Sequence, residues 1–145
     1  MLEAARWAPS CFNAQPWRFF VAERATHVDA WRAVHDCLTA GNRSWAASAP
    51  VLVAIAAATR FADGTPNRWA AYDAGAAAVS FALEAVTLGL AVHQMGGFDA
   101  SQLALRLALA EDMQPLAVAA VGYAADASML PDKHRARELA PRSRR

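Results

Sequence analysis

Apolar and polar residues follow two different periods along the chain, and each period predicts a type of element. Apolar residues at helical spacing predict a helix over His27–Leu38. Unbroken apolar runs predict strands buried on both faces at Val51–Ala58 and Leu116–Tyr123. Two shorter segments also favour strands: the aromatic Trp17–Glu23, and Ala91–Met95 ahead of a glycine pair.

The longest regular element is predicted over residues 68–90, a helix of about 33 Å. Its polar side chains project within about 40° of one direction, and the rest of its circumference is apolar. A helix of this kind requires burial on several sides, at the centre of a domain or in a subunit interface. The polar positions are Asp73, Ser80, Glu84 and Thr87.

Shorter helices complete the pattern. Residues 2–8 resemble the last turns of a helix that ends at Pro9, so we expect a further segment ahead of them. Asp99 is a candidate N-cap for a helix over residues 100–110, and the sequence from Ala124 onward indicates an irregular tail. The alternation of helices and strands predicts an α/β sandwich, with helices packed on a sheet.

Composition and charge narrow the classes of function. The chain has 145 residues, 56% of them apolar, which suffices for the core of one domain. Residues 1–130 carry 8 cationic and 11 acidic side chains and lack the positive field of a nucleic-acid-binding protein, so only the basic tail suits an anion or RNA. The 16 uncharged residues between Arg43 and Arg60 are interrupted by Pro50 and fall short of the roughly 20 that a membrane span needs.

The sequence contains no conventional catalytic or metal-binding set. Its four histidines lack metal-ligand spacing, and the nucleophile-elbow, P-loop and Gly-x-Gly-x-x-Gly patterns are absent. Cys11 and Cys37 form no paired motif and favour a reduced, cytoplasmic protein. Nothing near Cys11 in sequence lowers a thiol pKa, so an inert cysteine is favoured over a nucleophile. We predict no metal site and assign no catalytic residue.

The loop before the first strand is the first candidate binding segment. It holds one hydroxyl and two amides, on Ser10, Asn13 and Gln15, between two prolines. Amides offer paired donors and acceptors that suit the edge of a heterocycle, and the prolines fix the loop before a ligand arrives. A polar turn whose amides satisfy their own backbone is the alternative.

Two further segments are candidates. Gly96 and Gly97 follow Met95 at the end of a predicted strand, where glycine lets the backbone approach a flat ligand; a tight turn into the next helix fits equally. Arg142 and Arg144 are spaced to grip a phosphate from an extended chain, and a solvated basic end is the alternative.

Together these segments resemble the FMN-dependent nitroreductase family. Residues 8–17 are similar to its Ala-Pro-Ser-x-x-Asn-x-Gln-Pro-Trp signature. Residues 72–75 with 96–99 resemble its middle section, and residues 116–123 with 138–144 resemble its closing section. The resemblance covers nearly the whole chain in the right order.

The resemblance implies a nitroreductase-like α+β fold over residues 1–145, with a mixed, mostly antiparallel sheet. It implies a homodimer with the long helices in the interface and FMN bound between subunits. FMN would carry hydride from NAD(P)H to a small electron-poor acceptor such as a nitroaromatic or a quinone. Ser10, Asn13 and Gln15 would bond the flavin, backbone groups at residues 95–97 would face its N5, and Arg142 with Arg144 would hold its phosphate.

The sequence departs from the family at both ends. An Arg-Arg-Ser-type segment usually precedes the first motif, and a further segment usually follows the closing arginines. We therefore expect family segments to be missing here and FMN binding to be weakened. A flavin-binding or structural dimer without catalysis is the alternative function.

Overall fold

A single antiparallel sheet forms the centre of the molecule. The structure is a computed structural model that describes residues 1–130 and 132–141. Its strands follow the order β1-β2-β4-β3, and each neighbouring pair is antiparallel, as expected for an α+β fold. The strands are β1 (Trp17–Glu23), β2 (Val51–Ala58), β3 (Ala91–Met95) and β4 (Met113–Gly122).

Six α-helices are described around this sheet, and the long helix predicted over residues 68–90 is confirmed as α4. They are α1 (Leu2–Arg6), α2 (Val28–His35), α3 (Ala40–Ala46), α4 (Ala70–Thr87), α5 (Ala100–Arg106) and α6 (Asp132–Leu139). Two single 3₁₀ turns lie at Cys11–Asn13 and Ala127–Met129.

The structure corrects several predicted elements. Helix α2 ends at His35 rather than Leu38, and β4 spans Met113–Gly122 rather than Leu116–Tyr123. Helix α3 was not predicted, because its small and polar residues carry no apolar period. Helix α5 ends at Arg106 rather than near residue 110, because Ala108 adopts a left-handed backbone with φ 48°. The tail is not wholly irregular: α6 is built of strong helix formers such as Arg, Lys, Glu and Leu.

Apolar cores cover both faces of the sheet. Val53 and Ile55 of β2 face α1 and α4, whereas Leu52 and Ala54 face the other way toward α2, α3 and α5. This alternation follows from the two-residue period of a strand. The unbroken apolar run of β2 is therefore buried on both faces, as predicted.

Helix α4 is covered by its own chain on one side only. Small residues, including Ala74 and Ala77, let its inner face approach the sheet closely. Its opposite face presents large apolar side chains to solvent. We call this set the outer stripe: Tyr72, Val79, Leu83 and Val86.

Candidate functional site

The first candidate segment is the loop over residues 9–16, here called the amide loop, which connects α1 to β1. Its single 3₁₀ turn contains Phe12 and Asn13, whose φ angles are 51° and 55°, and Gln15 follows with φ 46°. A left-handed backbone costs a non-glycine residue about 1–2 kcal/mol, and only Asn adopts it readily. The loop therefore holds a shape that its residues would not adopt unaided.

Hydrogen bonds bring the three predicted residues of this loop together. The Ser10 hydroxyl oxygen accepts from the Gln15 backbone N–H at 2.9 Å, and Gln15 Nε2 donates to Asn13 Oδ1 at 2.8 Å. No protein partner is found, among the described residues, for Asn13 Nδ2 or Gln15 Oε1. One donor of Asn13 and one acceptor of Gln15 are thus left for a ligand.

Asp73 of α4 holds this loop from beneath, a role that sequence reasoning missed. Its Oδ2 accepts a hydrogen bond from the Cys11 backbone N–H at 2.9 Å. The residue is only 4% exposed, although its place on the helical wheel groups it with the polar side chains of α4. Its position in the first helical turn was the available signal, because the helix dipole stabilises an anion there.

An aromatic contact lies on the solvent side of the amide loop. Phe12 is 90% exposed as a residue, and its ring meets Phe61 edge to face, with ring centroids 5.9 Å apart. The left-handed backbone at Phe12 therefore places an exposed aromatic ring next to Asn13 in the loop.

The second candidate segment follows β3, and α3 determines its geometry. The Gly97 carbonyl accepts from Asn42 Nδ2 and from the Thr39 backbone N–H, each at 3.0 Å. A Cβ atom at Gly97 would lie 2.7 Å from Asn42 Nδ2, whereas one at Gly96 would meet no atom within 4 Å. Met95 packs into the core with 2% of its surface exposed, so only its backbone can serve a ligand.

The two candidate segments lie at the same end of the sheet but on opposite edges. The amide loop precedes β1, and Gly96 follows β3, which runs in the opposite direction to β1. One row crosses all four strands, so the edge strands stand three spacings apart, about 14 Å. That row is Phe20, Ala54, Val118 and Met95.

The third candidate segment, Arg142 with Arg144, lies outside the described residues. The described chain ends at residue 141, just after α6. Within α6, Arg135 pairs with Asp132 across one turn.

Polar groups near the glycine turn mainly support the backbone. The Arg43 guanidinium donates to the carbonyl oxygens of Asp36 and Leu38, and burial raises the pKa of the nearby Cys37 thiol. A cavity of about 370 Å³ lies beside them.

In residues 1–130 and 132–141, no group of three or more His, Cys, Asp or Glu side chains suits a metal ion. No helix in that part of the chain has the length and hydropathy to cross a bilayer.

The family profile and the comparisons with known proteins support the class of oxidoreductases. More narrowly, the chain belongs to the Nitroreductase family, whose profile matches residues 1–123. The resemblance of the sequence motifs to this family is thereby confirmed.

Individual relatives agree with this assignment. A crystal structure described as an oxidoreductase containing FMN is 35% identical and superposes with a TM-score of 0.88, over 94% of this chain and 70% of that one. An uncharacterized 15.4 kDa protein of Mycolicibacterium smegmatis is 34% identical, over 88% of each chain. A putative NADH dehydrogenase/NAD(P)H nitroreductase of Streptomyces coelicolor is 27% identical, over 85% of this chain and 69% of its own.

Proposed function

We propose that the protein is an FMN-dependent NAD(P)H oxidoreductase that reduces small electron-poor acceptors such as nitroaromatics and quinones. The observation that carries the proposal is the amide loop, in which Asn13 Nδ2 and Gln15 Oε1 have no protein partner among the described residues. A relative that is 35% identical contains FMN, which supports the choice of ligand. When bound, FMN supplies the redox chemistry, a two-step hydride relay through its N5 from NAD(P)H to the acceptor.

The residues of the two segments fit a flat heterocycle. Asn13 Nδ2 and Gln15 Oε1 suit the alternating N–H and C=O groups along a flavin edge. Ser10 fixes the Gln15 backbone, and its hydroxyl hydrogen, which has no acceptor among the described residues, can donate to the ligand. Gly96 has open space where a side chain would lie, so its backbone can approach the ring face.

The protein's share of the chemistry is to bind and orient. The proposal assigns no side chain as an acid or a base. Asn42 fixes the Gly97 carbonyl by a hydrogen bond and so orients the backbone of the glycine turn toward the flavin ring. Arg142 and Arg144 are proposed to hold the FMN phosphate with paired, charge-assisted hydrogen bonds.

We propose that the working unit is a homodimer. The outer stripe and Ala76 repeat at alternating spacings of four and three residues, the pattern of a seam between two helices. Edge strands about 14 Å apart place the amide loop and Gly96 of one chain too far apart for a single hydrogen-bonded contact. A second copy can bring its own glycine turn to this loop, so that two chains share each site.

Flavin titration of the purified protein tests the function. We expect added FMN to bind, to show oxidised-flavin absorption bands, and to bleach when NADPH is added anaerobically. Reoxidation by a nitroaromatic or a quinone would then complete the cycle. FMN binding without turnover on any acceptor would favour the flavin-binding dimer, and failure to take up FMN would refute both.

A side-chain deletion links this result to the proposed site. The variant Asn13→Ala should weaken FMN binding about 5- to 10-fold, because one hydrogen bond to the ring is lost. Ser48→Ala removes an exposed hydroxyl ahead of β2, at the other end of the sheet, and should leave FMN binding unchanged. Equal affinities in the two variants would contradict the placement of FMN on the amide loop.

A further inference from the structure

The amide loop has a backbone conformation that its own residues do not favour. Three of its residues, Phe12, Asn13 and Gln15, have left-handed backbones, and only Asn favours that region. The bonds inside the loop, from Gln15 to Ser10 and from Gln15 to Asn13, set its local shape. They do not attach it to the rest of the molecule. The end of the loop is held where the Ala58 N–H donates to the Pro16 carbonyl, and Phe12 touches Phe61, but neither contact fixes the start of the 3₁₀ turn at Cys11.

Asp73 provides a rigid attachment point. Among the described residues, it is the one charged residue that is buried. It stands in the first turn of the 18-residue helix α4, and its helical neighbour Ala74 is fully buried against the sheet. The dipole of this helix favours a carboxylate in its first turn, which offsets part of the cost of removing the charge from water.

Asp73 contacts the loop at the first residue of its 3₁₀ turn. Its Oδ2 accepts from the Cys11 N–H, the first amide of the 3₁₀ turn, whose N–H has no partner inside that turn. A hydrogen bond to a carboxylate is stronger than one to a neutral acceptor. The turn that carries Phe12 and Asn13 is thereby fixed relative to α4.

We infer that Asp73 is a positioning residue, which holds the amide loop in the left-handed conformation that presents Asn13 and Gln15 to the flavin. The loop's attachment is read from contacts within this chain, and the identity of the ligand rests on the proposed function. Asp73 acts through Cys11 and does not itself touch the ligand.

The test compares three variants of the full chain. Asp73→Leu has a similar size and no acceptor, Asp73→Asn keeps an oxygen acceptor without the charge, and Ser80→Ala removes a half-buried polar contact farther along α4. FMN affinity is measured by titration. The alkylation rate of Cys11 is measured on flavin-free protein by mass spectrometry, with buried Cys37 as an internal reference.

We expect Asp73→Leu to weaken FMN binding about 10- to 100-fold and to raise the Cys11 alkylation rate about tenfold, while Cys37 stays protected. Asp73→Asn should fall between this variant and the wild type, because it restores an acceptor of lower strength. Ser80→Ala should match the wild type in both measurements.

Two results would overturn the inference. One is an unchanged Cys11 alkylation rate and FMN affinity in Asp73→Leu. The other is a joint rise in the alkylation of Cys11 and Cys37, which would mean that Asp73 supports the whole fold rather than the loop.

The design separates this inference from the proposed function and from a failure to fold. If the wild type takes up no FMN, the proposed function fails, and the alkylation ratio still decides whether Asp73 holds the loop. If circular dichroism shows that Asp73→Leu does not fold, hydrogen exchange at the Cys11 amide of Asp73→Asn decides instead. Faster exchange confined to the amide loop supports the inference, and unchanged exchange refutes it.

Discussion

Gly97 lies where α3 meets the turn after β3, and the neighbouring side chains leave no space for a Cβ atom. A Cβ atom there would lie 2.7 Å from Asn42 Nδ2 and 2.9 Å from Thr39 Oγ1. Gly97→Ala must therefore displace Asn42 and break its bond to the Gly97 carbonyl. We expect a loss of about 1 kcal/mol in the free energy of unfolding, mainly from that hydrogen bond, measured by urea denaturation of flavin-free protein.

The adjacent glycine supplies the matched control. Gly96→Ala meets no atom within 4 Å, so its unfolding free energy should equal that of the wild type or exceed it by up to about 1 kcal/mol, because alanine restricts the unfolded chain. Its FMN affinity should nevertheless fall, because the added methyl group lies where the proposed ring approaches. Equal stability of the two variants would contradict the close contact with α3.

Residue types alone were enough to select the amide loop, but not its anchors. Ser10, Asn13 and Gln15 stand out because polar side chains cluster between prolines in a short stretch of sequence. Asp73 and Asn42 act across 62 and 55 residues of chain. The place of Asp73 in the first turn of α4 is a weak signal, and nothing in the sequence distinguishes Asn42 from an ordinary surface polar residue. Only the packing of α4 and α3 reveals what they contact.

At the scale of elements, two helix ends share one geometry but differ in one residue. After α4, Gly89 has φ 71°, and the Leu90 N–H bonds to the Ala85 carbonyl at 2.8 Å. After α5, Ala108 has φ 48°, and the Leu109 N–H makes the equivalent bond to the Ala104 carbonyl at 2.9 Å. Glycine adopts this backbone without strain, whereas alanine does not.

This pair predicts opposite effects of exchanging the two residues. Ala108→Gly should stabilise the protein by about 0.5–1 kcal/mol, because relief of strain exceeds the entropy lost by glycine. Gly89→Ala should destabilise it by about 1 kcal/mol. Thermal unfolding should show shifts of about 2–4 °C of opposite sign for the two variants, and shifts of the same sign would contradict this account.

The predictability of elements followed the strength of their apolar pattern. β1 and β2 match their predicted bounds because an aromatic and an apolar run mark them, and β3 matches because glycines lie on both sides of it. β4 begins at Met113, whereas the prediction began at Leu116, because Pro115 interrupts the apolar run in the sequence. Pro115 lies beside a register shift against β2, which is how the strand accommodates it. Helix α3 has no such pattern, and its existence depends on tertiary contacts.

At the scale of the whole molecule, the outer stripe of α4 determines the proposed assembly. Four large apolar side chains on one helix face are between 55% and 78% exposed in the single chain. An exposed patch of this kind marks an interaction surface, and the seam-like spacing favours the same helix of a second copy. The two edges of the sheet then contribute to one site from different chains.

A charge placed in the outer stripe should dissociate the proposed dimer and weaken FMN binding at the same time. Leu83→Glu buries an unpaired carboxylate in the proposed interface, so the dimer dissociation constant should rise at least about 100-fold. Leu105→Glu places the same charge on α5, where the leucine is 73% exposed and outside the stripe, and should remain dimeric.

Sedimentation velocity gives the oligomeric state, and FMN titration of the same samples gives the affinity. Because the amide loop and the glycine turn of one chain lie on opposite sheet edges, monomeric Leu83→Glu should bind FMN poorly even with both segments intact. A monomeric variant with wild-type FMN affinity would show that one chain holds the whole site, and a dimeric Leu83→Glu would place the interface elsewhere.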